Sequence, residues 1–252
     1  GSDAANAIQA NAGDDVIAGL GGADTIDGGI GTDEIDYSTD AAAGGDAGVT
    51  VDLSAGTATD GFGAQDQLTN IENITGTEQS DQLTGSDAAN VIHGNAGDDV
   101  VAGLGGADTI DGGEGADTIA GGSGSDVLAG GLGDDVIAGG EGADTIAGGE
   151  GADAIDGGSG VDTIEGGSGD DAILGGAGAD TIGGGAGADL IDGGTGDDLL
   201  FGGEGSDQIA GNTGDDTIVG GIGADVIDGG TGTDAIDYST DAGAGGDAGV
   251  TV

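Results

Sequence analysis

An aliphatic side chain returns at every ninth position from Ile92 to Ile236, always Ile, Val or Leu, without an insertion. Its neighbours are mostly small or polar, as in Thr118-Ile119-Ala120, so the local alternation is that of a short strand with one residue turned inward. Glycines at the first, second and fourth positions of the same nine-residue unit predict a tight turn before each strand. One unit supplies a turn and a strand, and two units close a coil of 18 residues. Strands one coil apart then pair in parallel, giving two sheets that face each other across a thin aliphatic row. A period this strict predicts one short element stacked many times, a solenoid in which each unit contacts only its neighbours. At a strand spacing of roughly 4.8 Å, the longest array would extend on the order of 40 Å.

Two scales of repetition are nested. Residues 1–36 hold four nonapeptides, the first degenerate, and residues 37–84 form a spacer outside the nine-residue register. Residues 85–237 divide into 17 further units, and residues 238–252 begin a second spacer. Tyr238 to Val252 repeats Tyr37 to Val51 with one difference, Ala42 against Gly243, and residues 1–29 match 85–113 at 25 of 29 positions. The chain therefore reads as an excerpt from a longer repetitive protein. Within the first spacer, Val49–Leu53, Gln67–Ile71 and Asn73–Thr75 are strand-like. They are expected to stay in the sheets as wider coils, with a loop around Thr39 to Asp46. Tyr37 and Tyr238, where the arrays end, are expected to cap or pack.

The chemistry of the repeat lies at its sixth position. That residue is Asp in every unit from Asp99 through Asp234, with only Asn90 deviating at the start of the long array. A glycine-rich turn exposes backbone carbonyls, and an Asp at its end adds a carboxylate. Calcium takes six to eight such oxygens and tolerates irregular geometry, whereas magnesium is smaller and dehydrates reluctantly. Two turns stacked one coil apart can enclose one ion, with Asp99 and Asp117 in one row and Asp108 and Asp126 in the opposite row. The candidate ligands are Asp15, Asp24 and Asp33 in the short array and Asp99, Asp108, Asp117, Asp126, Asp135, Asp144, Asp153, Asp162, Asp171, Asp180, Asp189, Asp198, Asp207, Asp216, Asp225 and Asp234 in the long one. Pairs of units two apart set an upper count of about 17 calcium ions.

The unit Gly112-Gly-Glu-Gly-Ala-Asp-Thr-Ile-Ala120, followed by Gly121-Gly-Ser-Gly-Ser-Asp-Val-Leu-Ala129, resembles the nonapeptide of the RTX (repeats-in-toxin) proteins. The resemblance covers nearly the whole chain. It implies an all-β, right-handed parallel β-roll (a β-helix or solenoid) with calcium ions in two lines along its turns. The spacer stretch Ile71-Glu72-Asn73 is similar to segments that continue or flank the roll in serralysin-like proteases and RTX adhesins, and Asp81 to Gly85 resembles a worn nonapeptide. The resemblance also implies type I secretion in an unfolded state and an extracellular or cell-surface location where calcium is abundant.

Charge sharpens this picture. The chain carries 50 acidic side chains, no Lys or Arg, and a formal charge of −50 over 252 residues. Such self-repulsion opposes a compact state, and with 67 glycines and 2% aromatics no large core can offset it, so the metal-free chain should be disordered. No side chain can neutralise a phosphate, which excludes nucleic acid as a partner and disfavours anionic membranes. No apolar run reaches membrane-spanning length, so membrane insertion is not expected. There is no Cys for disulfides or thiolate metal sites.

The remaining residues carry weaker chemistry. His93, the single histidine, reads as a solvated edge residue, and Phe62 and Phe201 as local packing. Asp98, Asp134, Asp170, Asp197 and Asp215, at the fifth position, read either as tuners of a calcium site or as solvated turn carboxylates. Catalysis needs a singular, pre-organised pair of groups, and near-identical copies nominate none, so the chain is expected not to be an enzyme. Two roles remain. The first is a calcium-folded structural region of a large secreted or surface protein, as in an adhesin stalk, surface layer or filament, with copies meeting end to end. The alternative is the calcium-binding C-terminal or secretion region of a secreted RTX enzyme or toxin. A third possibility, ligand binding along a row of outward Thr, meets a row at position seven (Thr109, Thr118, Thr145, Thr163, Thr181, Thr217) interrupted by Val, Leu, Ala and Gln.

Overall fold

A computed structural model describes residues 1–45 and 47–237. Tyr238 and the second spacer lie outside the described residues, as does Asp46 at the end of the expected loop. The chain divides into two compact units, Gly1–Ser123 and Gly124–Val252.

In the second unit every named strand pair is parallel and in 18-residue register. One sheet runs through Val127–Leu132, Thr145–Glu150, Thr163–Ser168, Thr181–Ala186, Leu199–Glu204, Thr217–Ile222 and Ala235–Asp237. The other runs through Val136–Glu141, Ala154–Ser159, Ala172–Leu174, Leu190–Asp192, Gln208–Ala210 and Val226–Asp228. Ile146, Ile164, Ile182, Leu200 and Ile218 fall opposite one another, all buried, while Val136, Leu190 and Val226 at the preceding position are about half exposed. The expected all-β parallel roll, with one aliphatic residue inward per unit, is the observed fold.

The strands run further than the sequence alone indicates. In the long array many continue through the first three positions of the next unit, so that Gly149 pairs with Gly167 inside the ladder and the turn proper is confined to positions four to six. Glycine is required there by crowding. A Cβ on Gly167, at φ 116°, would lie 2.1 Å from the Gly149 carbonyl oxygen.

The first unit likewise forms two sheets, which run through the spacer. Ile26 faces Leu68 and Ile35 faces Ile74, so the spacer strands Gln65–Thr69 and Asn73–Thr75 take the places of repeat strands. Thr50–Asp52 pairs in parallel with Gln82–Ser86. The spacer departs from expectation in two respects. Thr57–Thr59 is antiparallel to both its neighbours, Thr50–Asp52 and Gln65–Thr69, so the sheet is not parallel throughout. The segment expected as a loop contains a short helix, Asp40–Ala43. Tyr37 is fully buried and packs as expected of a residue that ends an array.

Candidate metal centre

Each turn of the array buries its sixth-position carboxylate behind the aliphatic row. Asp144, Asp153, Asp162, Asp171, Asp180, Asp189, Asp198 and Asp207 are all at most 2% exposed. One oxygen of each side chain is held by the chain itself. Oδ1 of Asp162 accepts from the Asp144 N–H at 2.9 Å, and Oδ1 of Asp180 from the Asp162 N–H at 2.8 Å, a ladder repeated every 18 residues. The second oxygen, Oδ2, is buried with no hydrogen-bond partner in Asp15, Asp24, Asp33, Asp99, Asp144, Asp153, Asp162, Asp171, Asp180, Asp189, Asp198, Asp207 and Asp216. Asp108, Asp117, Asp126 and Asp135 occupy the same buried position. Asp225 is slightly more open and Asp234 half-buried, with the N–H of Asp216 reaching Asp234 Oδ1 at 3.2 Å, so the rows loosen at the end of the array.

Buried carboxylate oxygens stacked in rows need a cation, and the chain supplies none. Lys and Arg are absent, and His93, 44% exposed, stands 3.9 Å from Asp111 at the sheet surface, the solvated edge expected of it. Neighbouring carboxylates one coil apart, roughly 4.8 Å, repel by about 3.5 kcal/mol at an effective dielectric of about 20. Burying the one aliphatic side chain of each unit contributes about 1.5–3 kcal/mol. Repulsion thus matches or exceeds the core it accompanies.

The carboxyls respond accordingly. Burial, with neighbouring Asp charges adding to it and a backbone N–H opposing it, pushes Asp99 up to about 7 and Asp171, Asp180 and Asp207 up to about 6.

The turn also supplies backbone oxygens. A Cβ on Gly166 would meet Asp171 Oδ2 at 2.4 Å and the Gly184 carbonyl oxygen at 2.6 Å, so an Asp oxygen and a carbonyl of the adjoining coil face the space that glycine leaves open. No three His, Cys, Asp or Glu side chains form a ready ligand set among the described residues. Each turn gives one carboxylate plus carbonyls, an all-oxygen donor set that fits calcium and offers nothing to a softer metal.

Two sixth-position residues fall outside this pattern. Asn90 accepts from the Ser86 N–H at 2.7 Å and donates to the Glu72 carbonyl at 2.6 Å. Asp81 accepts from Val49 N–H and Thr77 N–H, both at 2.6 Å, and from the Thr77 hydroxyl at 2.9 Å. In both, the residue four places earlier aims its N–H at the carboxamide or carboxylate. In the regular units that residue is a glycine at positive φ, or Asn11, Leu20, Asn95, Leu104 or Asn212, which take φ between 60° and 78°. Thr77 and Ser86 do not take a positive φ. In the units with a bare Oδ2 the second position is left-handed, and its amide makes no bond to that oxygen.

Other residues continue the ladder without having been singled out as ligands. Asp66 Oδ1 accepts from Asp24 N–H and Glu72 Oε2 from Asp33 N–H, both at 2.8 Å, filling the role of a repeat Asp across the spacer. The fifth-position carboxylates are exposed and accept from the next coil: Asp134 from Ala152 N–H and Asp170 from Ala188 N–H at 2.8 Å, Asp98 from Ala116 N–H at 3.0 Å, and Asp197 from Asp215 N–H at 2.8 Å. They are outer rungs of the stack. Phe62 packs on Gly21, where a Cβ would approach its ring at 3.1 Å, and Phe201 lines up with Gly183 and Val219 in the sheet.

No curated protein matches the chain. The family described as the RTX calcium-binding nonapeptide repeat (4 copies) matches residues 1–35 and, in overlapping stretches, residues 75–236. With the motif, the solenoid and rows of buried carboxylates whose oxygens suit a hard cation, the chain belongs to the RTX calcium-binding repeat family.

Proposed function

We propose that this chain is a calcium-folded, non-catalytic structural region of a large secreted or cell-surface protein, a rigid spacer of the kind that builds an adhesin stalk, a surface layer or an extracellular filament. The carrying observation is the in-register ladder of buried Asp oxygens in a chain without a single Lys or Arg. At neutral pH such a ladder opposes a folded state in the absence of cations, and it suits a protein that folds on reaching external calcium.

Up to about 17 ions would occupy the turns, removing most of the negative charge and leaving enough to keep the roll soluble. The spacer supports the same reading, because its strands carry both sheets of the first unit onward from the short array into the long one. Successive arrays would then continue as one rod, or separate chains would abut end to end through unpaired edge strands.

Scattering or electron microscopy of multi-module material in calcium tests this. A continuous rod supports it. Compact beads joined at residues 37–84 would contradict it, and a parent chain with one large non-repetitive catalytic domain would assign the repeats to a secreted enzyme instead.

A further inference from the structure

The spacer of the first unit contains a second kind of buried acidic site, unrelated to the nonapeptide turns. Asp40 and Asp60 are each 1% exposed, and neither belongs to a repeat unit. Asp40 Oδ2 accepts from the Gly61 N–H at 3.1 Å. Asp60 Oδ1 accepts from the Phe62 N–H at 3.0 Å and the Ala64 N–H at 2.7 Å. The other oxygens, Asp40 Oδ1 and Asp60 Oδ2, are buried with no hydrogen-bond partner.

This is the signature of the repeat carboxylates: one oxygen fixed by backbone, the other buried and bare. The two groups repel each other, and both lie close enough to Tyr37 to oppose its ionisation, as does Asp66. Tyr37 is fully buried and its hydroxyl donates to Asp66 Oδ2 at 3.1 Å, so it answers neither bare oxygen.

We propose that Asp40 and Asp60 hold a further hard divalent cation in the spacer. Three observations meet in this assignment: two bare buried carboxylate oxygens, linked through the Gly61 N–H that follows Asp60 and bonds Asp40, a chain with no Lys or Arg to answer them, and a backbone carbonyl closing on Gly61 beside Asp40. A Cβ on Gly61 would meet the Ala47 carbonyl oxygen at 3.1 Å and Asp40 Oδ2 at 3.3 Å. Since no third carboxylate joins the pair as a ready ligand set among the described residues, carbonyls and water complete the shell. The site joins the segment around Asp40 to the turn Asp60–Gly63, and the cation would lock those two spacer segments together.

Tyr37 makes the site observable. In the full chain carrying Tyr238→Phe it is the only tyrosine, and terbium, a luminescent substitute for calcium, emits when a nearby tyrosine is excited. The expected result is tyrosine-sensitised emission that calcium displaces. In Asp40→Asn/Asp60→Asn the emission should fall, the remainder coming from terbium in the Asp24 turn, which Tyr37 reaches through Asp66, and one fewer calcium should be bound per chain by equilibrium dialysis. Asp60→Asn alone keeps an oxygen to accept from Phe62 and Ala64 N–H, and so serves as the test if the double variant loses its β spectrum in calcium. No sensitised emission in the Tyr238→Phe chain, or emission and calcium count unchanged in the variants, would overturn the assignment. The second outcome would mean that the pair shares a proton in place of a metal ion.

Discussion

The array of the second unit and the spacer of the first both close coils over a buried aliphatic row, and both place acidic side chains behind it. They differ in what satisfies those side chains. In the array, Asp162 receives one backbone N–H and leaves Oδ2 bare. In the spacer, Asp81 receives two N–H groups and a hydroxyl, and no oxygen is left over. A Cβ on Gly76 would meet Asp81 Oδ2 at 2.3 Å and the Gly94 carbonyl at 2.9 Å, so the cradle is nearly the same shape in both regions. What differs is the backbone four residues earlier. An acidic residue in the right turn therefore does not by itself leave an oxygen for a cation; the bare oxygens go with a left-handed second position.

The largest test of this contrast is Asp162→Asn against Asp81→Asn. Asp162→Asn removes a charge from a site with a bare oxygen. It should raise the calcium concentration needed for folding by an amount worth about 2 kcal/mol, roughly thirtyfold at the affected sites. Asp81→Asn should lower thermal stability while leaving the calcium count unchanged. Equal loss of bound calcium in both variants, by equilibrium dialysis, would erase the distinction. Asp234→Ala, at the looser end of the array, should shift the calcium midpoint less than Asp162→Ala does.

A constructive test should gain one site. Ser86→Gly with Asn90→Asp restores both the left-handed second position and the carboxylate, and dialysis should then count one more calcium per chain. Asn90→Asp alone should gain little, because the Ser86 N–H still occupies the oxygen. A full extra ion in the single variant would show that the second position does not control ligand freedom.

Acid gives a smaller and more diffuse effect. Asp99, Asp171, Asp180 and Asp207 are raised to about 6 or 7 in the roll, above the ordinary carboxyl value of about 3.9 expected of the unfolded chain. The folded state therefore holds protons that the unfolded state releases between about pH 4 and 7, and stability is lost as pH rises through that window. In chelator, β content should increase on acidification from pH 7 to 4. Calcium competes with the same protons, so its folding midpoint should move to higher concentration at pH 5 than at pH 8. A chelated chain equally unfolded at both ends of that range would contradict the burial of these groups.

Much of this was legible in the sequence because a stacked coil repeats its demands. Ile at the eighth position and Asp at the sixth must recur if every coil presents the same core and the same turn. The fifth-position Asp residues were ambiguous, since exposure alone does not reveal that Asp134 accepts from Ala152 one coil later. The role of the second position was hidden because Gly, Asn and Leu share no side-chain chemistry there, only a backbone angle. The outward Thr row was obscured by reading every ninth residue as one face. In the second unit Thr145, Thr163 and Thr181 are adjacent on one sheet, while Val136, Ala154 and Ala172 belong to the other. The spacer, lacking a period, gave its strands through local alternation but concealed the antiparallel strand Thr57–Thr59 and the helix Asp40–Ala43.

The central claim is that the cation, and not the aliphatic core, decides whether the roll exists. Far-ultraviolet circular dichroism of the full chain, titrated with calcium from excess chelator, tests it most directly. The account predicts a disordered spectrum in chelator and a cooperative rise of β signal by millimolar calcium, with magnesium much less effective at equal concentration. A β spectrum that persists at neutral pH in excess chelator would contradict it.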